Sequence, residues 1–106
     1  MKSPTPKTIR NKLDKLWSKS VLLNYNYTCA YCGRTKETNQ IHPHHIYGRR
    51  NKSTRWDINN GIALCASHHR RNTKSAHMDP GWFMHWLREW KGDKFVDDLG
   101  FKARKK

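Results

Sequence analysis

Two short pieces of the sequence constrain the fold more than any others: Cys29-x-x-Cys32 and Cys65-x-x-His68, separated by 32 residues. Two residues between a pair of ligands let one tight turn aim both at the same ion. Gly33, directly after Cys32, relieves crowding where backbone N–H groups approach a thiolate. Two such turns complete a tetrahedral Cys3His shell, the form of a closed structural Zn2+ site. The arrangement uses all three cysteines and leaves no spare thiol. A redox pair of Cys29 and Cys32 with an unrelated Cys65 is the competing reading, but the βαβ pattern that accompanies such a motif is missing. The clip would tie residue 29 to residue 68, and its binding free energy would be folding free energy.

Such a staple is needed. Leu, Ile, Val and Phe number only 17 of 106 residues, and 22 Lys+Arg against 8 Asp+Glu give a formal charge of +14. That composition alone points toward disorder. The 12 aromatic residues, five of them Trp, argue the other way, because each buries a large area. No apolar run is long enough to span a membrane, and no signal-peptide pattern opens the chain. Three cysteines do not make a paired disulfide framework, so a reducing, cytoplasmic compartment is expected. The charge makes polyphosphate, and nucleic acid in particular, the expected partner.

The periodicity predicts a single α+β domain. Residues 1–7 carry two prolines and no pattern, and are expected to fray. A helix is expected over 8–26, with Ile9, Leu13, Leu16 and Leu23 recurring at helical spacing and Trp17 and Val21 beside them. Thr8, or Ser3 to Thr5, would cap it. Residues 40–46 and 61–64 read as two short strands, the first confined to an edge by Pro43. A helix is expected over 66–76. Asp79-Pro80 signals another helix start, followed by Trp82, Phe83, Trp86, Leu87 and Trp90 on one broad face. Phe95, Val96 and Leu99 suggest a last short helix closed by Gly100, and residues 101–106 a basic tail. The domain thus divides into an N-terminal helix, a core over 27–77 and C-terminal helices over 78–100 packed on that core.

A second constellation involves histidine. His44 and His45 end the first strand, Asn60 starts the second, and His69 follows the zinc ligand His68. Adjacent strand residues point to opposite faces and adjacent helix residues diverge by about 100°, so neither His pair should share one role. In order and spacing, Cys29-x-x-Cys32, His44-His45-Ile46, Asn60 and Cys65-x-x-His68-His69 resemble the HNH endonucleases, over residues 29 to about 72. The segments KLDKLWSKSV, HHIYGRRN, STRWDINNG and AHMDPGWF resemble a phage-type branch with one added helix on each side.

The resemblance implies a ββα-metal core, a two-stranded antiparallel ribbon and a helix around one divalent ion. It implies that His44 and His69 are ligands of the catalytic metal and His45 is the general base. Asn60 would hold the His45 loop through side-chain-to-backbone hydrogen bonds. Many members carry Asp at the position of His44, and two imidazoles should shift preference toward Mn2+, Co2+ or Ni2+, with Mg2+ still open. The implied activity is hydrolysis of DNA phosphodiesters. His45 would activate water, and the metal would stabilise the phosphorane and the leaving 3′ oxygen, giving 5′-phosphate and 3′-hydroxyl ends. The alternative is a zinc-stabilised DNA-binding module without catalysis. Arg49, Arg50, Lys52 and Arg55 form a basic loop beside His45 and are expected to contact phosphate without reading sequence. Lys7, Arg10, Lys12, Lys15 and Lys19 would extend that surface along the first helix. In so short a chain, site specificity would need a homodimer, a partner such as phage packaging or recombination proteins, or recognition of DNA shape. His42 reads as an exposed strand residue, and His85 as partly buried among aromatics. His77, eight residues after His69, would lie about 80° from it around a continued helix.

Overall fold

A computed structural model describes residues 6–105. The sequence-based expectations for residues 1–5, including the Ser3 to Thr5 cap, and for Lys106 lie outside these residues. The element order is α1 (Pro6–Asn24), β1 (Ile41–His45), a short helical turn (Ile58–Asn60), β2 (Gly61–Cys65), a wide turn (Ser67–Arg71), α2 (Pro80–Lys91) and α3 (Asp93–Ala103). The fold is α+β, with a two-stranded ribbon flanked by helices from both ends of the chain. No described helix is long and apolar enough to cross a membrane.

β1 and β2 pair antiparallel, with His42 opposite Leu64, His44 opposite Ile62 and His45 opposite Gly61. Pro43 has no N–H to donate, and β1 accordingly has a single neighbour, β2. All five residues of β2 are buried. Ile62, Leu64 and Cys65 form the core with Cys29, Ala76, Phe83, Leu87 and Val96, and Tyr31, Trp82 and Trp86 pack against it. The aromatics thus supply the area that the few aliphatics cannot.

α1 begins at Pro6, two residues before the expected start, with proline in the first turn where its missing N–H costs nothing. It ends at Asn24, where Asn26 and Tyr27 adopt positive φ. Its buried face is not the expected one. Trp17 and Val21 face inward, whereas Ile9, Leu16 and Leu23 are 47%, 62% and 57% exposed. The narrow ribbon takes only one i, i+4 pair, and Gly61 selects it. A Cβ on Gly61 would stand 2.2 Å from Val21 Cγ2 and 2.9 Å from Trp17 Cζ2. Gly61→Ala therefore forces α1 off the ribbon and should cost about 1–3 kcal/mol, as overpacked cores do. Urea denaturation measures this, and a loss below about 0.5 kcal/mol would place the α1 contact elsewhere.

The expected helix over 66–76 stops at Arg71. The amide of Asn72 bonds back to the Ser67 carbonyl at 2.9 Å, an i→i+5 closure that widens the turn. The Arg-Arg-Asn-Thr-Lys run that follows has no apolar face to hold a helix against the core. Instead the chain doubles back, and the amides of Ala76 and His77 donate to the carbonyls of His68 and His69 at 2.8 and 3.1 Å. Asp79 caps α2 as its sequence suggested, its Oδ1 accepting from the Trp82 amide at 3.1 Å. Phe83 and Leu87 are buried, while Trp90 is largely exposed.

α3 does not close at Gly100 but runs through it to Ala103, so that of the expected tail only Arg104 and Lys105, among the described residues, lie beyond the helix. Gly100 lacks a side chain because Tyr47 approaches there. A Cβ would meet Tyr47 Oη at 2.6 Å, and that hydroxyl donates to the Val96 carbonyl at 3.2 Å.

Candidate metal centres and groove

The two half-sites meet. The ligand atoms of Cys29, Cys32, Cys65 and His68 all lie within 4.8 Å of one another. Cys32 Sγ is 3.7 Å from Cys65 Sγ, and Cys65 Sγ is 3.2 Å from His68 Nδ1. Two thiolates on a tetrahedral Zn2+ with bonds of about 2.3 Å stand about 3.8 Å apart, so the spacing fits the ion. It does not fit a disulfide, and all three cysteines are free thiols. Gly33, at φ 78°, lets its amide turn back to the Cys29 carbonyl at 2.9 Å, closing the knuckle. The Ala30 amide donates to the Ala63 carbonyl at 2.9 Å and fastens the knuckle to β2.

A second cluster lies on the opposite side of the wide turn from His68. His44, His69 and His77 bring their ligand nitrogens within 4.8 Å of one another. His69 Nε2 and His77 Nε2 are 3.1 Å apart, close to the separation of about 3 Å for two imidazoles at right angles on one ion. Burial first, then the charges of the neighbouring histidines, depresses His44 and His69 from 6.5 to about 3. Both are therefore neutral imidazoles, the form that binds metal. The doubled-back segment after Arg71, not a continued helix, delivers His77 to this cluster.

His42 also differs from its sequence reading. It is half-buried, and its Nδ1 sits 3.0 Å from His69 Nδ1. His42 and His44 share a face of β1 by strand alternation, which is the signal that could have found this contact. His85, expected to be partly buried among aromatics, is instead 75% exposed on α2, where it pairs with Glu89 at 2.9 Å.

His45 points away from that trio, as its neighbour position requires. Its ring stacks on Trp17 at 3.7 Å between centroids and 9° between planes. Its Nε2 lies 3.0 Å from the Arg55 carbonyl. A carbonyl only accepts, so Nε2 carries the proton and Nδ1 keeps the lone pair. Burial lowers the His45 pKa below 6.5, against the raising effect of the Arg55 carbonyl.

Asn60 is fully buried behind this ring. It donates from Nδ2 to the carbonyls of Tyr47 and Thr54 at 2.9 and 3.1 Å, and accepts from the Tyr47 amide at 2.8 Å. One side chain thus joins both ends of the loop that follows His45.

These groups border one groove of about 580 Å³. His44, His45, His69 and His77 line it, together with Arg49, Arg50 and Arg70. Arg70 was missed in the sequence because it stands on the turn rather than in the basic loop. The basic loop divides. Arg49 and Arg50 are exposed along the groove, while Lys52 is exposed outside its lining. Arg55 is turned inward, its side chain 15% exposed and held by Asp14 at 2.7 Å. It is spent on structure rather than offered to a phosphate.

Residues 29–75 match the family model described as HNH endonuclease. No curated protein and no solved structure matched the chain.

Proposed function

We propose, from the match of residues 29–75 to the HNH endonuclease family model, that the chain is a metal-dependent DNA endonuclease with a structural zinc. One juxtaposition carries the reading. A neutral histidine with its Nε2 proton engaged, His45, borders the same groove as three clustered neutral imidazoles.

His44, His69 and His77 would hold a divalent cation. When bound, that ion supplies positive charge where negative charge develops on the phosphate and the leaving 3′ oxygen. The chain's own residues do the rest. His45 takes a proton from water at Nδ1, and the resulting imidazolium is stabilised by its Nε2–H bond to the Arg55 carbonyl. Asn60 keeps that carbonyl's loop in place through Tyr47 and Thr54. Arg49, Arg50 and Arg70 hold the phosphate backbone along the groove, without reading bases. Such contacts make binding fall steeply with salt.

The product ends test the chemistry. Water attack in line with the 3′ oxygen leaves 5′-phosphate and 3′-hydroxyl ends, so nicked plasmid made with Mn2+ should be resealed directly by DNA ligase. Ends that ligate only after phosphate is removed from the 3′ side would refute this assignment.

A further inference from the structure

The HNH match covers residues 29–75, yet the ring stacked on His45, Trp17, and the carboxylate that pins Arg55, Asp14, both stand on α1, outside it. We propose that Asp14 and Trp17 are positioning residues for the general base, acting through the backbone of residues 55–57 and by ring stacking. The proposal rests on the nuclease reading for its consequence, but not for its geometry.

Asp14 and Trp17 lie three residues apart, on one face of α1. The Asp14 carboxylate accepts from Arg55 Nε at 3.0 Å and Arg55 Nη2 at 2.7 Å, a two-pronged pair. It also accepts from Trp56 Nε1 at 2.8 Å and Arg49 Nη2 at 3.1 Å. Trp17 donates from Nε1 to the Asp57 carbonyl at 2.9 Å while its ring covers His45. Three consecutive residues are thus fastened to one helix face. The first of them, Arg55, presents the carbonyl that fixes the His45 tautomer. The Arg55 side chain faces Asp14 and its carbonyl faces His45, so the same residue transmits the constraint.

The location of Asp14 argues that it is more than a fastening. It lines the groove, with its side chain 22% exposed, in a chain that has only 8 acids against 22 Lys+Arg. A carboxylate there repels a polyanion. Neutralising it removes that repulsion and leaves the charges of Arg49 and Arg55 uncompensated beside the groove. The two consequences of Asp14→Asn therefore run in opposite directions. DNA binding should tighten severalfold, while turnover should fall about tenfold or more, because misplacing a reacting group by about 1 Å costs up to 10²-fold.

The experiment compares the zinc-loaded full chain with Asp14→Asn. The 15N signals of the His45 ring report its tautomer, and single-turnover cleavage and DNA affinity at fixed salt report function. The wild type should show a single Nε2–H tautomer and the variant a mixture, with slower cleavage and tighter binding. A purely structural role would lower the melting temperature and leave the turnover of the folded fraction unchanged, and that result would overturn the proposal. An unchanged His45 tautomer would overturn it too. Should the wild type fail to cut any DNA, the nuclease reading falls by itself, and the tautomer comparison still decides the positioning. If Asp14→Asn does not fold, Arg55→Lys keeps the charge but loses the two-pronged geometry, and should give the same change in the His45 signals.

Discussion

Removing zinc is expected to unfold this chain. Structural zinc contributes on the order of 10 kcal/mol or more to small domains, while whole domains are stable by only about 5–15 kcal/mol. Little else here fills the gap. The ribbon has two strands, and the 17 Leu, Ile, Val and Phe residues are partly spent on the exposed face of α1. Cys29 and Cys65 are themselves core residues, each 1% exposed. The ion would join the knuckle, the end of β2 and the wide turn, which are the elements that also carry His69 and lead to His77. Without it, burial pushes the Cys32 thiol up to about 11, so that ligand would keep its proton. A strong chelator should abolish the near-ultraviolet circular dichroism of the packed tryptophans, and Cys65→Ala should do the same. One zinc per folded chain is expected. Loss of an ion from His44, His69 and His77 should leave the fold intact, because β1 and the doubled-back segment are held by backbone hydrogen bonds. A chain that still melts cooperatively after zinc is removed would contradict this account.

The parts of this arrangement that were legible in the sequence are those governed by short spacing. Two residues between ligands set each half of the zinc shell. Strand alternation sent His44 and His45 to different neighbours, and Asp79-Pro80 marked the start of α2. What stayed hidden depends on contacts between distant residues. Periodicity could not say which stripe of α1 meets the ribbon, because the choice is made by the bare backbone of Gly61. The path to His77 was invisible because it is a loop held by two amide bonds, not a continuation of a helix. Gly100 looked like a terminator, but its missing side chain makes room for Tyr47. Asp14 and Arg55 are 41 positions apart, and nothing local to either announces the pair.

Replacing His45 with alanine should have the largest effect on activity. A general base contributes about 10²–10⁴-fold to rate. Among the described residues, no other ring nitrogen lies in the same setting, stacked on Trp17 and hydrogen-bonded to the Arg55 carbonyl. Affinity should change little, because burial keeps His45 neutral and the groove is lined by the cations of Arg49, Arg50 and Arg70. Stability should fall by about 0.5–1.5 kcal/mol through loss of the ring stack. That is too little to unfold a zinc-bound domain. The variant should therefore bind DNA as a folded, zinc-loaded protein and fail to cut it. An inactive DNA-binding module would give no such difference between the two proteins.

The most direct measurement is plasmid cleavage with Mn2+ by the wild type and His45→Ala side by side, at equal zinc content and equal DNA occupancy. The account predicts nicking by the wild type and a loss of about 100-fold or more in the variant. Cleavage at equal rates by both proteins, or by neither with any divalent cation, would contradict it.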